Sequence, residues 1–145
     1  DLTSIAVAAD NITLHNYLTP KVKIETDIEF MPNTNLDAIT SYNFNNRVRT
    51  KERLKAGQTL TYIFEEPVEC NTIHVPTGYT NIPFYGVSEG YVEYSYDGVN
   101  FIKGEDFYRY HAYIKNIEAP VKAVRIVITE PNDGYSCNFQ NLKIE

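Results

Sequence analysis

The sequence predicts an all-β fold, an antiparallel β-sandwich, and three observations carry the prediction. Short alternating or β-branched runs recur along the chain. Turn residues separate them every eight to twelve positions, as in sandwiches. No window of a dozen residues keeps the 3.6-residue apolar period of a helix. With 145 residues the chain can bury roughly two-thirds of the surface its unfolded form exposes, enough for one self-supporting core.

Taken in order, residues 1–19 read as a lead-in or linker and residues 20–145 as the folded module. Val22, Ile24 and Thr26 alternate like a strand. Residues 51–55 have room for a single helical turn and little more. Residues 60–64, LTYIF, stop at Glu65, Glu66 and Pro67, and residues 72–75, TIHV, stop at Pro76 and Gly78. Residues 91–102, YVEYSYDGVNFI, set Val92, Tyr94 and Tyr96 against Tyr91, Glu93 and Ser95, then turn on Asp97-Gly98. That pair supplies the positive φ angles of a two-residue hairpin. Residues 109–114, 121–129 and 139–144 continue the pattern, with Val124, Ile126 and Ile128 on one face. The total is seven or eight strands. Tyr/Asn-rich loops at 30–46, 77–90 and 130–136 are where function is expected, because loops on a rigid sandwich usually carry it.

The charge balance narrows the partners. The chain has 13 Lys+Arg against 19 Asp+Glu, a net charge of -6, and a pI near 5.1. Nucleic acid and anionic membranes need a basic surface, so neither is expected. No apolar stretch approaches the roughly 20 residues of a membrane helix, so membrane insertion is not expected either. No signal peptide stands at the amino end, and Asp1 opens inside what reads as running sequence, as expected of a piece of a longer protein. Cys70 and Cys137 allow one disulfide at most and lack metal-ligand spacing; two free thiols are expected.

Catalytic motifs are missing. There is no nucleophile elbow, zinc-protease motif, phosphate-cradling glycine loop or carboxylate-rich metal loop. His74 and His111 fall within predicted strands as packed or edge imidazoles, and His15 lies in the lead-in. The neighbours Glu65-Glu66 and Glu105-Asp106 point to opposite faces of a strand and make poor acid/base pairs. The chain is therefore not expected to be an enzyme in its own right. Its aromatics, 12 Tyr and 7 Phe with no Trp, suit binding instead. A tyrosine offers an apolar face with a hydroxyl at its rim, a match for the amphipathic face of a sugar. Tyr79, Asn81, Phe84, Tyr85 and Glu89 lie in one loop; Asn132, Asp133, Tyr135 and Asn138 lie in or next to another.

The segments AGQTLTYIFEEPVECNTIHVPTG, GYVEYSYDGVNF, PVKAVRIVIT and NFQNLKI resemble, in that order, the discoidin family, or coagulation factor V/VIII type C domains. Within it the resemblance is to the family 32 carbohydrate-binding modules appended to bacterial glycoside hydrolases. It covers roughly residues 20–145. It implies an eight-stranded antiparallel jelly-roll β-sandwich, like a galactose-binding domain, whose loops at one end bind the non-reducing end of a glycan. Similar C-terminal domains follow β-hexosaminidases of families 20 and 84, notably in gut Bacteroidetes. The implied role is thus an accessory module of an extracytoplasmic enzyme, targeting terminal N-acetylhexosamine or galactose, with a glycan and an attached catalytic domain as partners.

Carried over residue by residue, the resemblance makes Tyr135 the final-loop aromatic on which a sugar face stacks, with Tyr79 or Tyr85 as the opposite wall. Asn81 and Glu89 are expected to supply polar contacts, and Arg53 to reach in from the neighbouring loop. Departures are also present. Tryptophan is absent, no arginine occurs between Arg53 and Arg109, and Thr40 and Ser41 stand where an acidic turn is usual. Members with structural calcium take ligands from that turn and from a last-strand glutamate, where this chain has Gln140 and Asn141. No cofactor or obligatory metal is therefore expected. The implied topology puts Cys70 at the bottom of the sandwich and Cys137 near the binding loops, too far apart for a disulfide. The rival reading is a structural or protein-interaction sandwich without a sugar site.

Overall fold

A computed structural model describes residues 21–40, 46–79 and 81–145. The proposed lead-in 1–19, His15 and Ser41 lie outside the described residues. Among those described, ten strands form: β1 (Val22–Thr26), β2 (Arg47–Arg49), β3 (Thr59–Val68), β4 (Ile73–Pro76), β5 (Glu89–Ser95), β6 (Ile102–Asp106), β7 (His111–Ile114), β8 (Val121–Glu130), β9 (Asn138–Gln140) and β10 (Lys143–Ile144). Among the described residues helical structure is limited to two 3₁₀ turns, Leu36–Ile39 and Pro83–Tyr85.

All strand pairs are antiparallel. One layer is a five-stranded sheet in the order β1-β3-β8-β5-β6; the other joins β10-β4-β7 to the pair β2-β9. A bridge between Thr77 and Phe139 links that pair to the end of β4. The core lies between the layers. Leu60, Tyr62 and Phe64 of β3 and Val124, Ile126 and Ile128 of β8 are all buried, as are Ile73, Val75, Ala112, Ile114 and Phe139 from the second layer. Each fully buried aliphatic or Phe side chain contributes roughly 1.5–3 kcal/mol. Buried Tyr62 keeps its phenol satisfied by donating to the Gln140 carbonyl at 2.7 Å, and burial raises its pKa.

The antiparallel sandwich agrees with the sequence, and several local expectations change. Ten strands form among the described residues where seven or eight were expected, because Arg47–Arg49 adds β2 and the last expected strand, 139–144, divides at Asn141 and Leu142: β9 pairs with β2, and β10 pairs with β4. The hairpin connection is six residues long, not two. The Asp97 carboxylate accepts from Val99 N, Asn100 N, Asn100 Nδ2 and Ser95 Oγ, which closes a wider loop around Gly98 at φ +83°. Strand β7 begins at His111 because Arg109 and Tyr110 take positive φ angles of 50° and 73° in a tight turn. Residues 51–55 form no helical turn; Leu54 is drawn into the core instead. Cys70 and Cys137 are free thiols, Cys70 half-buried and Cys137 buried. Burial raises both thiol pKa values, that of Cys137 far more.

Candidate functional site

The end of the sandwich where β4 and β8 finish carries three structured connections, and the sequence explains how each is held. Residues 77–88 leave β4 through Gly78 at φ +80°, where an added Cβ would lie 2.6 Å from the Pro83 carbonyl. Only glycine fits that close approach. The Thr77 hydroxyl donates to Tyr110 O at 2.6 Å and accepts from Val87 N at 2.8 Å. Gly78 N donates to Asn138 O at 2.8 Å, and Gln140 Nε2 donates to Gly78 O at 2.6 Å. Tyr79 therefore emerges from a backbone fastened on both sides.

The second connection, residues 131–137, is built around buried Asn132. Its Oδ1 accepts from Leu54 N at 2.8 Å, and its Nδ2 donates to Gly134 O at 3.2 Å and to Ser136 O at 2.8 Å. Gly134 lies against the Tyr85 ring, closely enough that a Cβ there would overlap Cδ1. Asp133 N donates to Ser88 Oγ at 2.8 Å, and Tyr110 Oη donates to Asp133 Oδ2 at 2.9 Å. Burial, then the Asp133 carboxylate, raises the Tyr110 pKa. Tyr135 projects from this scaffold at 81% exposure.

The third connection follows β2. Thr50 N donates to Cys137 O and Cys137 N donates to Thr50 Oγ1, both at 2.8 Å, so β2 is clamped to the final loop. Val48 and Thr50 face the core; Arg47, Arg49 and Lys51, at alternate positions, face out. Together these segments enclose a cleft of about 730 Å³ lined by Tyr79, Asn81 and Tyr85 of the first loop, Tyr135 and Asn138 of the second, and Arg47, Arg49 and Lys51 of β2 and its extension. The Arg47 guanidinium lies 3.7 Å over the Tyr79 ring centroid.

Four of the six expected site residues, Tyr79, Tyr85, Tyr135 and Asn81, line this cleft. Arg53 stands behind the final loop, where its Nε donates to Gly134 O at 3.1 Å and its guanidinium is 5.9 Å from the Tyr135 ring centroid. Glu89 is exposed at the start of β5, in register with Glu130, and is not part of the lining. The arginines that line the cleft are Arg47 and Arg49 of β2, outside the loops from which a sugar-binding arginine was expected. The signal was the alternation in RVRTK, two inward residues between three cations. A calcium site does not fit the end of β9, where the Gln140 amide donates to the Gly78 carbonyl instead of presenting a carboxylate. Among the described residues no group of three or more His, Cys, Asp or Glu side chains is placed to hold a metal.

No protein-family model matches the chain, and no curated protein matches it. Solved structures do. A module from a family 31 glycoside hydrolase of Clostridium perfringens, CBM32-1, superposes with a TM-score of 0.65 at 13% identity, over 88% of this chain and 97% of that one. The chain has the fold of the family 32 carbohydrate-binding modules. A second C. perfringens module with this fold, CpGH89CBM32-5 in complex with GalNAc-β-1,3-galactose, matches at TM-score 0.61 and 18% identity over 83% of this chain and 92% of that one. A fragment of a putative chitobiase from Bacteroides thetaiotaomicron matches at TM-score 0.64 and 12% identity, over 90% of each chain. In this carbohydrate-binding-module fold the cleft described above lies among the loops at one end of the sandwich.

Proposed function

We propose that the chain is a non-catalytic carbohydrate-binding module, an accessory domain of an extracytoplasmic glycoside hydrolase, which holds the terminal sugar of a glycan. The observation that carries this reading is the convergence of Tyr79, Tyr85 and Tyr135, from two separate loops, on one open cleft with Asn81 beside them. Rings supply stacking faces for a pyranose, while amide and guanidinium groups take its hydroxyls. Among the described residues the lining contains no Asp, Glu, His or Cys, whereas glycoside hydrolysis commonly uses a carboxylate pair. The finer reading is a parent enzyme of the β-hexosaminidase type and a terminal N-acetylhexosamine or galactose as ligand. The disaccharide bound by the C. perfringens module and the chitobiase origin of the Bacteroides fragment support it.

A shallow site with one or two stacking contacts gives roughly millimolar to tens-of-micromolar affinity. Attachment to a catalytic domain makes this useful, because tethering raises the local substrate concentration. Glycan-array binding of the wild type and of Tyr135→Ala tests the reading. Binding that is lost in the variant supports it. A silent array for the wild type favours the alternative, a structural or protein-interaction sandwich, and unchanged binding in Tyr135→Ala removes Tyr135 from the site.

A further inference from the structure

The cleft carries a local charge opposite in sign to that of the whole chain. The chain as a whole is acidic at -6, yet among the described residues the lining contains Arg47, Arg49 and Lys51 and no carboxylate. Strand geometry produces this. Alternate residues share a face about 6.6 Å apart, so burying Val48 and Thr50 sends all three cations the same way. Like charges at that spacing repel one another, and an anion between them relieves the repulsion.

The three cations differ in what already engages them. The Arg47 guanidinium lies 3.7 Å over the Tyr79 ring centroid, a cation–π contact. Lys51 pairs with Glu29 at 3.2 Å, but both groups are largely exposed, so the pair is weak and exchangeable. Arg49 has neither an ion pair nor a ring contact among the described residues, although the cleft opens beside it. A planar guanidinium fork matches the two oxygens of a carboxylate or a sulfate. Opposite Arg49 in the β2–β9 pair, Asn138 lines the cleft and is fully buried, with both amide atoms unpaired among the described residues.

We infer that this cleft takes a pyranose bearing an anionic substituent, a carboxylate or a sulfate ester, and that Arg49, flanked by Arg47 and Lys51, receives the anion while the tyrosines hold the ring. The inference rests on the reading of the cleft as a sugar site and names the class of sugar.

The test is calorimetric titration of matched probes: methyl galactopyranoside, its uronate and its sulfate ester, with the corresponding N-acetylglucosamine and glucuronate series. Wild type, Arg49→Gln, Arg47→Gln/Arg49→Gln and Lys23→Gln are compared. Lys23→Gln removes an equal charge on exposed β1. The expected result is binding of an anionic member roughly tenfold or more tighter than its neutral parent, weakened by salt. Arg49→Gln is expected to abolish that preference, and Lys23→Gln to retain it. A preference for the uronate alone or the sulfate alone supports the inference and assigns the substituent. Equal affinity for neutral and anionic members, or binding of neutral members only, overturns it and leaves the sugar-binding reading standing. A preference that survives in both arginine variants overturns the assignment to Arg49. Silence of every probe, with a silent glycan array, overturns both.

Discussion

Replacing Asn132 by alanine tests whether the final loop is held from beneath by one side chain. Asn132 makes three hydrogen bonds, to Leu54 N, Gly134 O and Ser136 O, and is itself 2% exposed. Truncation strands the Leu54 amide in a buried position, at about 1–3 kcal/mol for an unsatisfied donor. The carbonyl losses are smaller, since Gly134 O still accepts from Arg53 Nε at 3.1 Å and Ser136 is only half-buried. The sum is a loss of about 2–4 kcal/mol. For a domain of this size each kcal/mol lowers Tm by roughly 3 °C, so the expected fall is about 6–12 °C by calorimetry. Tyr135 sits between the two carbonyls that Asn132 holds. Sugar affinity, measured well below the new Tm, is therefore expected to fall as well. A Tm within about 2 °C of wild type would refute the stability argument. Undiminished sugar binding in a clearly destabilised variant would refute the positioning argument.

Gly78→Ala is expected to destabilise by about 1–3 kcal/mol in urea unfolding, since φ is +80° and the new Cβ meets the Pro83 carbonyl. Acid is expected to weaken the fold near His74 and His111, whose rings are stacked at 5.0 Å with Nε2 and Nδ1 2.7 Å apart. Burial, then the charges of His111 and Lys143, lowers His74 to about 4, and burial, then Lys143, lowers His111. Both values lie below those of the unfolded chain, so the folded state binds fewer protons. The stabilisation is complete above about pH 6.5 and is lost as pH falls toward about 4; it amounts to about 1 kcal/mol after screening of these half-exposed rings. His74→Gln is expected to flatten Tm between those pH values, and an unchanged profile would contradict the pairing. Thiol labelling is expected to modify Cys70 slowly in the native protein and Cys137 only on unfolding, because Cys137 is buried and its pKa is raised well above that of a free thiol. Labelling of Cys137 at the rate of Cys70 would contradict its burial.

The legible parts of the sequence are those where burial imposes a period. Val124, Ile126 and Ile128 alternate because one face of β8 meets the core, and β3 reads the same way through Leu60, Tyr62 and Phe64. The tyrosine-bearing loops were legible by composition and by their position between secure strands. Other features are decided by groups that no local pattern announces. Arg109 and Tyr110 turn at positive φ without a glycine, and the β5–β6 loop is sized by what the Asp97 carboxylate can reach. Strand β2 is only three residues long, and its register is set by Val48 opposite Phe139, some ninety positions along the chain. Without that partner RVRTK reads as the end of a loop, and Arg53, sought as the sugar-binding arginine, turns instead to the Gly134 carbonyl.

The same strand limits what net charge can say about a partner. A balance of -6 is a sum over the whole chain, whereas a bound ligand feels charges within about a Debye length, 8–10 Å in physiological salt. That distance takes in Arg47, Arg49 and Lys51 together, since they sit at alternate positions of β2 and its extension, and among the described residues the one carboxylate paired with any of these three cations is the exposed Glu29. The acidic composition therefore argues against an extended polyanion such as nucleic acid, which must lie across the remaining surface. It does not argue against a single anionic group small enough to meet β2 alone.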